Sequence, residues 1–180
     1  MNNALDMIRN EHLSMSRLLA LLEQQIALFE RGLKPDYELV KEIVDYFLTF
    51  PNLYHHPKEN LILAKLRQRA PELARRVGDL EGEHTARSNE LYDFAHAVIN
   101  VLLDVEMPRE RFAKLARTFI DRERKHMAEE ERAFLPAAEA GLTEEDWAAI
   151  SPKIGMFRDP LSERAEVRFV RLRGRRTQPS

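Results

Sequence analysis

The chain has no cysteine in its 180 residues. That absence excludes disulfides, thiolate metal sites, iron–sulfur clusters and cysteine nucleophiles, and it accords with a reducing compartment. Any metal would have to be held by nitrogen and oxygen. Also missing is any window near the roughly 20 apolar residues of a membrane span. The opening MNNALDMIRNEH has neither a basic start nor a continuous apolar run. A soluble cytoplasmic protein with no membrane partner is therefore expected. Strand-like alternation and internal repeats are absent too. What is present, 44% hydrophobic and 32% charged residues, is ordinary for a globule, and the length suits one core that folds without staples.

Charge is unevenly placed. From Arg158 onward seven arginines face three acids, giving +4 and leaving −6 on the rest of a chain whose net charge is −2. The tail RFVRLRGRRTQPS has a composition able to meet nucleic acid or an acidic partner. A solvated terminal segment is the simpler reading, so nucleic acid is not expected as a partner and no function is built on the tail.

Periodicity organises the remainder. Leu5, Ile8, Met15, Leu19, Leu22, Ile26 and Phe29 recur at three- and four-residue steps, one apolar stripe on a long helix. His12 fills the one gap in it, and RGLKPD ends it with turn signals. A second helix starts after Asp36, carries Val40, Val44, Phe47 and Leu48, passes Pro51 and continues through Ile62 and Leu66, with His55 and Glu59 in phase. The pattern predicts a third from about Pro71 to Val105, with Val77, Leu80, Leu91, Ala95, Val98 and Leu102 inward and His84 on the same line. A fourth, from about Pro108 to Ala138, packs Phe112, Leu115, Phe119 and Phe134, with His126 and Glu130 in register. LTEEDWAAI reads as a short fifth helix with Thr143 as cap and Asp146 closing a variant capping box. The expected fold is all-α: an antiparallel up-down four-helix bundle over residues 1–140, then a short fifth helix and basic C-terminal tail over 141–180.

Counting along helices that alternate up and down, at about 1.5 Å per residue, brings His12, His55, His84 and His126 within roughly 6 Å of one another along the bundle axis. Two of them carry a carboxylate one turn on, His55 with Glu59 and His126 with Glu130. Residues four apart on a helix share a face, so each pair can offer a nitrogen and an oxygen to one cavity. One octahedral ion cannot take four imidazoles and two carboxylates from four walls and stay open, whereas two ions bridged by the carboxylates can. Imidazole with carboxylate suits iron, and manganese or zinc as alternatives. His56, about 100° round from His55, and His96 are expected at the surface. Pro57 lies inside this pattern, where a proline frees a carbonyl and disfavours helical geometry at the residue before it. A kink or local widening is expected there, aiming His55 and Glu59 inward. The plainer alternative is that a new helix starts at Pro57.

The motifs NEH, HHPKE, EGEH and HMAEE, in that order over roughly residues 1–140, resemble the hemerythrin-like HHE cation-binding domains of four-histidine type. The resemblance implies a non-haem di-iron centre with His12, His55, Glu59, His84, His126 and Glu130 as its metal ligands, the two glutamates bridging. Two departures separate the chain from oxygen-carrying hemerythrins. Their fifth histidine, one turn after the helix 3 ligand, is replaced by Ser88, and their helix 4 carboxylate follows its histidine by five residues, a position held here by Glu131. Fewer ligands leave more open coordination sites. The implied function is binding of oxygen or nitric oxide as a small ligand for sensing, storage or stress response, with a homodimer as the assembly allowed for. An enzyme reducing oxygen or peroxide and a metal-stabilised interaction module are the alternatives. A rival metal set, Glu81 with His84 and Glu123 with His126, spells the Glu-x-x-His of ferritin-like proteins. It would fall on consecutive helices and leave His12 and His55 idle, so Glu81 and Glu123 are expected as half-exposed acids.

Overall fold

The stripe from Leu5 to Phe29 winds into a single helix, α1, Asn3–Glu30, and every apolar member of it is buried. Gly32 ends it with a left-handed φ of 79°, and the Leu33 N–H closes back onto the Leu28 carbonyl at 3.0 Å, a cap that a residue with a Cβ would strain. In this computed structural model residues 3–103 and 105–157 are described, and among them all regular structure is helical, with no strand. The basic tail beginning at Arg158 lies outside the described residues.

Asp36 caps α2, Tyr37–Phe50, its carboxylate accepting from the Leu39 N–H at 3.0 Å. A π-helical turn, Pro51–His55, then carries the chain into α3, His56–Arg69. The single third helix expected from Pro71 to Val105 is two, α4 at Pro71–Val77 and α5 at Leu80–Leu102. Gly78, at φ 84°, makes the break, and Asp79 restarts the helix by accepting from the Gly82 N–H at 3.0 Å. The fourth runs as α6, Arg109–Glu129, a second π-helical turn, Glu130–Phe134, and α7, Leu135–Gly141. α8, Glu144–Met156, carries the expected capping box of Thr143 and Asp146. Asp146 also takes Arg69 at 2.7 and 3.0 Å, which latches α8 to the end of α3. That guanidinium holds the Asp146 carboxyl below the usual carboxylate range, against the opposing effect of burial.

α1 and α5 each pack against both α2 and α6. The beginning of α1 meets the second π turn through His12 and Glu131, and its end meets the beginning of α6, where Arg109 donates to the Phe29 carbonyl. The apolar interior falls into two parts. Met15, Leu19, Leu22, Phe47, Phe94, Phe112 and Phe119 belong to the larger. Leu5, Ile8, Ile62, Leu66, Leu80, Phe134, Leu135, Ile150 and Ile154 belong to the smaller. On α1 the switch from one to the other falls between Ile8 and Met15, where His12 stands.

Candidate metal centre

Between the two apolar clusters lies a polar layer. His12 comes from α1, His55 from the end of the first π turn, Glu59 from α3, His84 from α5, His126 from α6 and Glu130 from the start of the second π turn. None is more than 6% exposed. Burial on that scale is costly for carboxylates and imidazoles unless their polar atoms find partners.

All four histidines turn Nε2 inward. His12 Nε2 and His55 Nε2 are 3.2 Å apart. Glu59 places Oε1 at 3.2 Å from His55 Nε2 and 3.9 Å from His12 Nε2, and Oε2 at 3.4 Å from His84 Nε2. Glu130 does the same from the opposite wall. Its Oε2 lies 3.2 Å from His12 Nε2, while Oε1 lies 2.6 Å from His126 Nε2 and 3.4 Å from His84 Nε2. Each carboxylate thus has one oxygen toward His12 and another toward His84. Donor atoms of His12, His55, Glu59 and Glu130 all lie within 4.8 Å of one another, a little beyond the about 4.2 Å that atoms each about 2.1 Å from a shared ion can span. Both oxygens of Glu59, Oε2 of Glu130 and Nε2 of His126 are buried without a hydrogen-bond partner. Such a set of nitrogen and oxygen lone pairs fits a divalent iron, manganese or zinc ion.

Outside this layer stands a second set of carboxylates that the sequence reading did not single out for this work. Glu131 accepts from His12 Nδ1 at 2.8 Å, Glu11 from His55 Nδ1 at 2.8 Å and Glu83 from His126 Nδ1 at 3.2 Å. A carboxylate on Nδ1 fixes that proton there and leaves the Nε2 lone pair facing inward. Glu11 is itself held by the fully buried ammonium of Lys58, and Glu131 has Arg9 at 3.7 Å. A signal for them was available. Glu11 precedes His12, Glu83 precedes His84 and Glu131 follows Glu130, and one residue along a helix turns the side chain about 100°, from the centre toward the neighbouring helix. Glu131, weighed from the sequence as an alternative inner carboxylate, faces His12 Nδ1, and Glu130 faces the layer. Burial alone would push His55 down, but Glu59 and Glu11 override it and hold the imidazole up at about 10. Burial would likewise raise Glu130, yet the imidazoles of His12, His126 and His84 keep it well below the usual carboxylate range.

Three expectations change. His56 is not at the surface: it is 9% exposed and stacks on the His84 ring, centroids 3.7 Å apart and planes 11° from parallel. A helix with two packing neighbours buries a face wider than one residue, so His55 turns toward α1 and His56 toward α5. Burial, then the charges of His84, His55 and Arg87, hold His56 well below the usual imidazole range, and it is neutral, with Nε2 lying 3.5 Å from an Arg87 amino group. Donor atoms of His56, His84 and His126 also cluster within 4.8 Å. Stacked rings, however, have parallel, offset planes, which keeps their in-plane lone pairs from meeting at one ion. Glu123 is the second change: it is buried, and Arg87 donates to it at 2.9 Å. Glu81 is exposed and pairs with Arg67 at 2.9 Å. Neither acid joins the layer, so the Glu-x-x-His pairs do not assemble. His96 is exposed, as expected.

The third concerns Pro57. Widening occurs, but one turn earlier, where the His56 N–H reaches back five residues to the Pro51 carbonyl. The second π turn is built alike, with the Leu135 N–H on the Glu130 carbonyl and Pro136 next in sequence. A proline ring crowds the carbonyl four residues back, and a turn widened by one residue relieves that crowding. Both widened turns carry a residue of the layer, as π-bulges at functional sites often do.

The family model described as Hemerythrin HHE cation binding domain matches residues 3–138. Neither a curated protein nor a solved structure gives a match.

Proposed function

Because the chain belongs to the hemerythrin HHE cation-binding domain family, matching it over residues 3–138, we propose that it is a cytoplasmic non-haem di-iron protein that binds oxygen or nitric oxide for sensing, storage or stress response. The reading takes the four long helical segments as an up-down bundle. It takes His12 and His55 as ligands of one ion, His84 and His126 as ligands of the other, and Glu59 and Glu130 as bridges. The observation that carries it is the splay of the two carboxylates, each with one oxygen toward His12 and one toward His84. A pair of irons would supply redox-active positions open to a small ligand.

The chain's own residues do the rest. Glu11, Glu83 and Glu131 hold the imidazole protons on Nδ1 and so aim the donor nitrogens. The two apolar clusters on either side of the layer keep bulk water off it. Ser88, where oxygen carriers have a fifth histidine, is half-buried, and its hydroxyl donates to the His84 carbonyl at 3.0 Å within its own helix.

Metal analysis of protein produced in iron-supplied cells tests the reading, with two irons per chain expected. Glu59→Ala and Glu130→Ala should each drop the count to one or none while the helical circular dichroism persists, and Glu81→Ala should leave it at two. One metal or none in a fully folded parent protein would sink the di-iron assignment.

A further inference from the structure

Among the described residues no lysine or arginine is sealed as completely as Lys58, in the first turn of α3. Its ammonium donates to Glu11 Oε1, the one carboxylate within ion-pairing distance of it among those residues, and stands 5.9 Å over the centre of the Phe50 ring. Phe50 precedes the first π turn and Lys58 follows it, so the side chain straddles the turn that delivers His55. The other oxygen of Glu11 accepts from His55 Nδ1 at 2.8 Å. An ammonium in such a place is costly, and a buried ion pair is commonly no more stabilising than an apolar pair of similar volume. Holding α1 against α3 would have been served as well by a methionine. The outer carboxylates differ in the same respect. Glu131 is exposed, with a half-buried Arg9 at 3.7 Å, and Glu83 is exposed and pairs with His126. Of the three, Glu11 is the one backed by a sealed cation.

We infer that Lys58 is a positioning residue of the metal centre: through Glu11 it locks the His55 ring with Nε2 toward the layer, and its charge rather than its bulk does so. A carboxylate bound on one oxygen by an ammonium is kept from turning out to water, and its second oxygen stays on Nδ1, where it sets the direction of the ring. The importance of this lock for holding metal rests on the proposed di-iron reading. The link from Lys58 to His55 does not, since all three side chains belong to the polypeptide.

Nuclear magnetic resonance of the metal-free chain tests the lock at the ring itself. Lys58→Met keeps the length of the side chain and removes its charge. Exchange of the His55 Nδ1 proton with water should become about tenfold faster or more, the factor expected for one charge-assisted hydrogen bond, while the His12 Nδ1 proton keeps the parental rate. Because the chain has no cysteine, Lys58→Cys can be alkylated at that position alone in urea and refolded. An aminoethyl group there rebuilds the ammonium and should restore slow exchange, whereas a propyl group of the same length should not. In iron-loaded protein a chelator should take one of the two ions from Lys58→Met about 10- to 100-fold faster than from the parent, with the other lost near the parental rate. Parental exchange at His55 in Lys58→Met, recovery with the propyl group, or equal acceleration at His12 and of both ions would overturn the assignment whatever the metal count. A parent protein with one metal or none, in which the selective change at His55 is still seen, would sink the di-iron reading and leave Lys58 in its role.

Discussion

A histidine whose Nδ1 proton is fixed by a carboxylate has one useful nitrogen left, and in the metal-free chain that nitrogen competes for a proton. For His55 the competition is one-sided, since Glu59 and Glu11 hold its pKa up at about 10 against about 6.5 for a free imidazole. A pKa raised on folding adds stability that is fully present below about 6.5 and is lost as pH rises through about 10. Metal-free protein should therefore melt at progressively lower temperature from neutral to alkaline pH through this group. A metal that takes His55 Nε2 must displace its proton, so loading near pH 7.5 should release about one proton or more per chain. Calorimetric titration with ferrous ion in buffers of different ionisation enthalpy measures that number, and an apparent heat independent of buffer would contradict it. The convergence of His12, His55, His84 and His126 was legible at this scale because helical spacing alone carries it. The outer carboxylates were legible only as acids one residue from a layer residue; which imidazole each one meets depends on how each helix is rotated against its neighbour, and one sequence does not report that rotation. Glu123 escaped for the same reason.

At the scale of elements, most helix starts were written in plain signals, Asp36, Thr143 and Asp146 among them. The break at Gly78–Asp79 was readable from its residue types and was overridden in the expectation by the continuing apolar period. The widened turns were half legible. Pro57 announces a disturbance, but a 3.6-residue period does not say that one extra residue is accommodated before it, and Pro136 carries the same message six residues after Glu130. Relaxing one of these turns to α-geometry would rotate one side of the helix against the other by about 100°, separating His55 from the wall that holds Phe50. Pro57→Ala restores an N–H and frees the Leu53 carbonyl to accept it if the turn relaxes to α-geometry, so the metal-free protein should be as stable as the parent or more stable, by up to about 3 kcal/mol. Its hold on metal should weaken, because the widened turn is then no longer enforced. Urea unfolding of the metal-free form and the rate of iron loss to a chelator measure the two effects; iron loss at the parental rate would show that packing alone maintains the turn.

For the whole molecule, the match to the family over residues 3–138 leaves α8 as an addition whose place is set by Ile150, Ile154 and the Asp146 latch to Arg69. It extends the smaller apolar cluster, which otherwise rests on short stretches of α1, α3, α4, α5 and α7 and on the second π turn. The division of the interior by the polar layer has a consequence for how the chain opens. Two apolar clusters separated by a layer of ionisable groups and linked by the helices that cross it can open as two cooperative units, and the ions are what would tie them into one. Without metal, amide protons of Ile62–Leu66 and of Leu135–Ala138 should exchange with solvent through a sub-global opening much faster than those of Leu19–Ile26 and Phe94–Val98. With metal bound, the two sets should converge on a single, slower rate. Deuterium uptake followed by mass spectrometry would resolve them, and equal rates in the metal-free form would mean that the layer couples its two neighbours as tightly as an apolar core does.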